Sequence, residues 1–176
     1  MISFSEISNI DESNYWMNLY DASFPEYEKT PFNDLVQMSN SDHRIKMYLV
    51  KYNDNKAGII YLVDMNTKAF ILYFAIDSSI RGQGLGKLVI NALNKEFKDG
   101  FILECESTIG NFPNSEQRDA RYRFYMKNGL IDTNLFSRDS GQNFHLLTSN
   151  EKCTKDNYLY ANKLLGISSV DVLKRK

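Results

Sequence analysis

One short segment of the chain combines residue types that bind anions. It reads Ile76-Asp77-Ser78-Ser79-Ile80-Arg81-Gly82-Gln83-Gly84-Leu85-Gly86-Lys87 and lies between a strand-like apolar run and a helix-like pattern. Glycines at alternate positions let the backbone approach a ligand closely. The N–H groups at a helix start have no partner within the helix, and the helix dipole adds positive potential. With Arg81 and Lys87 on either side, the segment predicts a phosphate or pyrophosphate site.

The spacing of the glycines excludes two common nucleotide motifs. A P-loop requires GxxxxGK followed by Ser or Thr, but Arg81 stands five residues before Gly86 and Leu88 follows Lys87. A dinucleotide fingerprint requires GxGxxG, and its third glycine is absent from either starting point. The simpler alternative is a Gly-rich turn that only starts a helix. Three glycines would be a costly way to build such a turn, because each loses extra backbone entropy on folding.

The elements around this segment predict an α/β (α+β) fold. The runs 45–52, 57–64 and 68–77 read as strands with short turns between them, which indicates an antiparallel meander. A helix over 84–97 then leads to a strand over 101–107, parallel to 68–77. The buried stripe of this helix is expected to contain Leu85, Leu88, Val89, Ala92 and Leu93.

Caps and turns define the remaining elements. We expect a short strand over 2–8, and Asp11 and Thr30-Pro31 are expected to begin two early helices. Asn114 or Ser115 begins a later helix that stops at Gly129. A final hairpin, 131–137 with 142–148, turns around Asp139-Ser140-Gly141, and a small helix over 154–165 follows. The prediction is a mixed, mostly antiparallel sheet of about six to seven strands, with helices on both faces.

Composition excludes several classes of protein. A chain of 176 residues with 43% apolar and 24% charged residues fits a single domain over 1–176, with 150–176 as a C-terminal extension. A net charge of -1 argues against a nucleic-acid partner, and no apolar run is long enough to cross a membrane. No signal peptide is evident at the N-terminus, so a cytoplasmic location is expected. Cys105, Cys153, His43 and His145 lack metal-ligand spacing, so no metal is expected.

Three features together carry a family resemblance. The Gly-rich segment follows an Arg/Gln-x-x-Gly-x-Gly/Ala signature, and the helix end Tyr125-Met126-Lys127-Asn128-Gly129-Leu130 is similar to a Tyr-x-x-x-Gly-Phe ending. With the order of the elements as the third feature, the chain resembles the GNAT superfamily of acyl-CoA N-acyltransferases. The resemblance implies a sheet that splays at its centre, between 68–77 and 101–107.

The resemblance also implies acetyl-CoA as co-substrate. The pyrophosphate would lie on the loop from Arg81 to Lys87, held mainly by backbone N–H groups. Its members there are Arg81, Gly82, Gln83, Gly84, Leu85, Gly86 and Lys87. The pantetheine arm would pair with the backbone of Phe74, Ala75 and Ile76.

Catalytic roles follow from the same resemblance. Tyr125 matches the general acid that protonates the leaving thiolate; the alternative is an aromatic ring that fills the core. Some members of the superfamily carry a glutamate on the long strand, and the matching position here is Phe70. Glu104 and Glu106, on one face of a strand, are therefore the candidates for the base. One of them is expected to have a raised pKa. Their alternative role is ion pairing with Arg118, Arg121 or Arg123 on the next helix.

The acceptor is expected to be a primary amine of a small molecule or a peptide. In this superfamily the first two helices form one wall of the acceptor site, and Glu26, Tyr27 and Glu28 lie in their connecting loop. These residues suit an ammonium group, and Arg121 is a further candidate for substrate binding. A solvated acidic loop is the alternative. A CoA-binding sensor or interaction module without turnover remains a second hypothesis for function, and the oligomeric state is open, a homodimer included.

Overall fold

The computed structural model describes residues 1–139, 141–167 and 171–175. Within these ranges it contains five α-helices and eight strands, in mixed α/β order. They are β1 (Ile2–Glu6), α1 (Ile10–Ser23), α2 (Phe32–Ser41), β2 (Ile45–Tyr52), β3 (Asn55–Met65), β4 (Lys68–Ile76), α3 (Leu85–Glu96), β5 (Phe101–Glu106), α4 (Ser115–Lys127), β6 (Ile131–Asp139), β7 (Gln142–Thr148), α5 (Lys155–Leu164) and β8 (Asp171–Lys174).

The α/β class and the predicted order of elements are confirmed, with one strand more than expected. The additional strand is β8, whose four residues are too few to show an alternating pattern in the sequence. Residues 66–70 and 97–176 form one compact unit, and residues 1–65 and 71–96 form the other. The single domain over 1–176, with its extension from 150, and the central splay of the sheet stay predictions.

The first unit carries the strands in the order β1-β2-β3-β4, the last represented by 71–76. Both β1–β2 and β2–β3 are antiparallel, with Ile2 opposite Tyr52 and Ile45 opposite Val63. The turn between β2 and β3 uses Asn53 at φ 49° and Asp54 at φ 66°. Asn and Asp tolerate this left-handed region better than most residues, which explains why Asn53-Asp54 predicted a turn here.

Aromatic residues fix the helices of the first unit on its strands. Trp16 and Tyr20 of α1 are fully buried, and the Trp16 Nε1–H donates to the Tyr48 carbonyl at 3.1 Å. The Tyr61 hydroxyl donates to the Leu35 carbonyl of α2 at 2.9 Å. Each buried ring therefore keeps a partner for its polar end, which removes the cost of burying that group.

Three details of the helices differ from the sequence prediction. The N-cap of α1 is Asn9, whose side chain accepts from the Glu12 N–H at 2.9 Å, so the expected cap Asp11 lies in the first turn. The cap of α2 is Pro31 and not Thr30, because the Pro31 carbonyl accepts the first helical hydrogen bond, from the Leu35 N–H at 3.1 Å. In α3, Leu88 is 40% exposed and Ile90 is buried instead.

The second unit carries the strands in the order β4-β5-β7-β6-β8, with β4 represented by Lys68–Phe70. β7 is antiparallel to β5 and to β6, and β8 is antiparallel to β6. The helix α4 ends as predicted, with Gly129 at φ 86°. The predicted helix over 154–165 is present as α5, which begins with a reciprocal capping box between Thr154 and Asn157. Ser140 of the predicted hairpin turn lies outside the described residues.

Candidate functional site

The loop between β4 and α3 is held in shape by its own side chains. Asp77 Oδ1 accepts from the Ser79 N–H at 2.9 Å and from the Ser79 hydroxyl at 2.7 Å. These hydrogen bonds hold the pKa of Asp77 below its usual range, so this carboxylate stays ionised. Arg81 Nε donates to the Ile76 carbonyl at 3.1 Å. The turn that precedes the glycines is therefore fixed at both ends.

The glycines of this loop adopt conformations that other residues avoid. Gly82 has φ 82° and Gly84 has φ 73°, and a Cβ on either would meet no atom within 4 Å. Gly82 and Gly84 thus combine a left-handed backbone with open space on the side where other residues carry a Cβ. The Gly84 carbonyl accepts from the Leu88 N–H at 3.3 Å, so the N–H groups of the first turn of α3 have no acceptor within the helix.

Charge at this loop favours an anion. The dipole of α3 places positive potential at its N-terminus, and the side chains of Arg81, Gln83 and Lys87 are exposed around it. Leu85, the first residue of α3, is buried, and Gly86 follows it in the first turn of the helix. The residues predicted to bind phosphate thus lie together at the start of α3, with open space where a Cβ of Gly82 or Gly84 would point. We call this segment, residues 81–87, the cradle.

Gly58 of β3 has a role that the sequence reasoning did not assign. A Cβ at this position would lie 2.4 Å from the Ala75 carbonyl oxygen. The close approach lets the Asp77 N–H donate to the Ala57 carbonyl at 2.9 Å, which fixes the end of β4. Phe74 and Ile76 are half-buried and Ala75 is 7% exposed. A glycine inside the otherwise apolar run 57–63 was the signal for a close backbone contact.

Tyr125 lies in the second unit, on α4, and is 7% exposed. Burial raises the pKa of its hydroxyl, with a smaller contribution from Cys105, and Arg121 acts in the opposite direction. No described residue hydrogen-bonds this hydroxyl. The phenol therefore keeps its proton throughout the neutral range, with no protein group competing for it.

Glu106 forms the ion-pair network that was the alternative to a catalytic role. Its Oε1 lies 3.2 Å from Arg118 Nη2, and its Oε2 lies 2.7 Å from Arg121 Nη1. The Arg118 guanidinium also donates to the Ser107 carbonyl at 3.2 Å and lies 3.7 Å from the Phe112 ring centroid. Both carboxylate oxygens are thus engaged, which favours a role for Glu106 in fixing α4 on β5.

Glu104 has a different environment from Glu106. Its Oε1 accepts from the Tyr158 hydroxyl at 2.5 Å and from the Ser137 hydroxyl at 2.6 Å. Burial raises the pKa of this carboxyl, and the two hydrogen bonds lower it by less. A carboxyl with a raised pKa accepts a proton more readily at neutral pH than an ordinary one. Tyr158 lies 54 positions away in the sequence, and no local pattern pointed to it.

The predicted acceptor residues divide between the two units. Glu26, Tyr27 and Glu28 form one turn of 3₁₀ helix in the first unit, where Tyr27 is 50% exposed. Lys29 forms ion pairs with Glu26 and, at 3.1 Å, with Asp21, so this loop is less acidic than its sequence suggested. The fourth candidate, Arg121, belongs to the second unit.

A polar cluster around the buried His145 lies in the second unit, outside the predicted site residues. His145 Nε2 accepts from the Thr108 N–H at 3.2 Å, and its Nδ1 lies 3.4 Å from Asp132 Oδ2. The Tyr122 hydroxyl donates to the same Asp132 oxygen at 2.8 Å. Burial lowers the pKa of His145, so a neutral ring holds the start of the loop after β5. Across the described ranges, no three His, Cys, Asp or Glu side chains group as a metal site requires.

The described helices are all too short or too polar to cross a membrane.

The chain matches known proteins in sequence and in fold. The model of the Acetyltransferase (GNAT) family matches residues 13–130. No curated protein matches the chain significantly. A putative acetyltransferase of the GNAT family from Bacteroides thetaiotaomicron is 22% identical with a TM-score of 0.73, and the match covers 94% of this chain and 97% of that one.

Two other solved structures contain coenzyme A. An aminoglycoside 6'-N-acetyltransferase complexed with coenzyme A is 18% identical with a TM-score of 0.65, over 84% of this chain and 95% of that one. An N-acetyltransferase from Thermoplasma acidophilum in complex with coenzyme A is 17% identical with a TM-score of 0.56, over 85% and 99%. At these identities, the likeness shows a shared fold.

Proposed function

We propose an activity for this chain from one premise: it belongs to the GNAT family of acetyltransferases. The proposed reaction is transfer of an acetyl group from acetyl-CoA to a primary amine of a small molecule or peptide. The observation that carries the proposal is the cradle at Gly82 and Gly84, where positive φ angles and open space meet the N-terminus of α3. A diphosphate group suits this combination of backbone donors and positive potential.

The cradle and the end of β4 are the proposed binding residues for acetyl-CoA. Gly82, Gly84 and the first turn of α3 would hold the pyrophosphate through their N–H groups, with Arg81 and Lys87 adding charge. The backbone of 74–76 would hold the pantetheine arm. When bound, acetyl-CoA supplies an acyl group activated as a thioester.

Two side chains of the second unit have the proton chemistry that amide formation requires. An ammonium group must lose a proton before it attacks, and Glu104 is the proposed acceptor of that proton, directly or through water, because burial raises its pKa. Tyr125 is the proposed donor of a proton to the departing thiolate, because its phenol stays protonated. Glu106, the other candidate base, is engaged by two arginines and is proposed to act mainly through the position of α4.

The acceptor is proposed to be an amine that is cationic before it loses its proton. Glu26, Tyr27 and Glu28 are proposed to contact its ammonium group through carboxylates and an exposed ring, and the ammonium group would compete with Lys29 for Glu26. Arg121 would bind an anionic part of the acceptor, with its guanidinium partly exposed. One structural neighbour is named for an aminoglycoside, which is an amine of this charge class. A cytoplasmic location, where acetyl-CoA is available, is part of the proposal.

One observation favours a second function, a CoA-binding sensor or interaction module without turnover. The candidate base Glu106 is fixed in a network with Arg118 and Arg121, as expected for a structural group. Turnover in the presence of acetyl-CoA separates an enzyme from a sensor.

Calorimetric titration with acetyl-CoA tests the proposed function first, with Gly84→Val as the control. Binding in the micromolar range that is lost in Gly84→Val supports the cradle. The next step is a panel of polyamines, aminoglycosides, amino acids and peptides with free N-termini, assayed for release of free CoA. Absence of binding by the folded protein would refute the acetyltransferase proposal, and binding without turnover on the whole panel would favour the sensor.

A further inference from the structure

We propose that Tyr158 of α5 is a positioning residue that holds Glu104 in the orientation and charge state of a general base. The inference rests on the proposed function, because it assigns Tyr158 a role in the reaction attributed to Glu104. It also gives the C-terminal helix a part in the active site, although α5 lies outside the residues that match the family model.

The hydrogen bonds at Glu104 distinguish its two oxygens. Both donors, the hydroxyls of Tyr158 and Ser137, bind Oε1, at 2.5 and 2.6 Å. No described residue hydrogen-bonds Oε2. One oxygen is therefore fixed by the protein, and the other is left to accept a proton from an amine or a water.

The side chain of Tyr158 is fixed by its packing and by the contacts of the helix that carries it. It is fully buried, and its ring meets Phe70 of β4 edge to face, with ring centroids 5.1 Å apart. The helix that carries it is fixed by the capping box at Thr154 and by Lys68 Nζ, which donates to Asn157 at 3.3 Å. The hydroxyl is thus presented to Glu104 from a rigid scaffold, and its hydrogen bond costs little side-chain entropy on forming.

The charges around Glu104 set the direction in which Tyr158 acts. Desolvation raises the pKa of the carboxyl, and Asp139 of β6 adds to this effect as a like charge. Tyr158 and Ser137 oppose both, because their hydrogen bonds favour the ionised form. Burial and the nearby Glu104 charge raise the pKa of Tyr158 itself, so it remains a donor. Tyr158 therefore keeps the half-buried carboxyl of Glu104 available as a base at neutral pH.

The test replaces Tyr158 by Phe, which keeps the ring and its contact with Phe70. We expect the acidic limb of the kcat/KM profile to move to higher pH by roughly one unit, because the ionised base loses a charge-assisted hydrogen bond. Ser137→Ala is expected to move the limb in the same direction. Tyr160→Phe, on the same helix and 46% exposed, is the matched control and is expected to leave the limb in place.

Two further measurements separate failure of this inference from failure of the proposed function. If Glu104→Gln keeps full activity, Glu104 is not the base, and the proposed mechanism fails. If Glu104→Gln abolishes turnover while Tyr158→Phe leaves the acidic limb unmoved, the positioning role of Tyr158 is overturned. NMR titration of the Glu104 carboxyl carbon in both proteins gives the same answer without turnover: an unchanged pKa in Tyr158→Phe contradicts the inference, and a raised one supports it.

Discussion

A single methyl group at Gly84 is expected to weaken coenzyme A binding far more than it weakens the fold. Gly84 has φ 73°, and an added Cβ would meet no protein atom within 4 Å. Alanine therefore costs only the left-handed backbone strain, about 1–2 kcal/mol, reduced by the smaller entropy of its unfolded chain. A net loss of about 1 kcal/mol lowers the Tm of a chain of this size by about 2–4 °C.

The same methyl group has a larger effect on the ligand, because it occupies the open space of the cradle. A phosphate held by backbone N–H groups must approach them within hydrogen-bond distance, and a Cβ there forces it away. We expect the Kd for coenzyme A to rise at least tenfold in Gly84→Ala, which corresponds to about 1.4 kcal/mol. Isothermal titration calorimetry gives the Kd, and thermal unfolding without ligand gives the Tm.

Gly166 provides a matched control for this substitution. It follows α5, has φ 71°, and a Cβ there would also meet nothing within 4 Å. Gly166→Ala should therefore lower the Tm by a similar amount and leave the Kd for coenzyme A unchanged. If both variants bind coenzyme A equally well, the cradle is not the binding site, and the reasoning from Gly84 fails.

Three further predictions concern the second unit. Arg118→Met should lower the free energy of unfolding by roughly 3 kcal/mol, because it breaks a buried ion pair with Glu106. Arg121→Met breaks a half-exposed pair and should lower it by at most about 1 kcal/mol. Equal losses in urea denaturation would contradict this prediction. His145 has a lowered pKa in the fold, so the unfolded state binds its proton more readily, and the stabilisation is complete above about pH 6.5 and decreases as the pH falls below it. Urea titrations of the wild type and His145→Gln between pH 5 and 8 should differ in this slope, and parallel curves would refute the prediction. Tyr125→Phe should lower kcat at least about 100-fold, and the wild type should show no loss of rate from phenol ionisation below pH 10, because burial raises the pKa of Tyr125; an unchanged kcat would remove it as the acid.

The parts of the fold that sequence patterns predicted are those that local chemistry determines. Asn53 and Asp54 mark a turn because they tolerate a left-handed backbone, and Gly129 ends α4 for the same reason. The cap of α1 was placed two residues late, since Asn9 and Asp11 are equally good caps by type, and only the contact with the Glu12 N–H distinguishes them. The strand β8 was missed because its four residues are too few to show an alternating pattern.

The candidate site divides along the same line. The cradle was predictable because its glycines, its cations and the helix start are adjacent in the chain. Glu104 was predicted as a candidate base because it is a carboxylate on a predicted strand. Its hydrogen-bond partners Ser137 and Tyr158 could not be predicted, because they reach it only through the packing of β6 and α5. Which of the two glutamates pairs with arginine also depended on packing, because both lie on one face of β5.

The boundary between the two compact units falls inside one strand, β4, and this has a consequence for the order of events on the ribosome. Every residue of the first unit, including the whole cradle, has been synthesised once the chain reaches Glu96. At roughly 5–20 residues per second, residues 97–176 take roughly a further 4–16 s. During that interval the nascent chain already carries every residue of the proposed phosphate site, while Lys68–Phe70 of β4 still lack β5, the neighbouring strand that is synthesised later. A nascent chain stalled soon after residue 96 has emerged would therefore be expected to bind coenzyme A before it can acetylate anything.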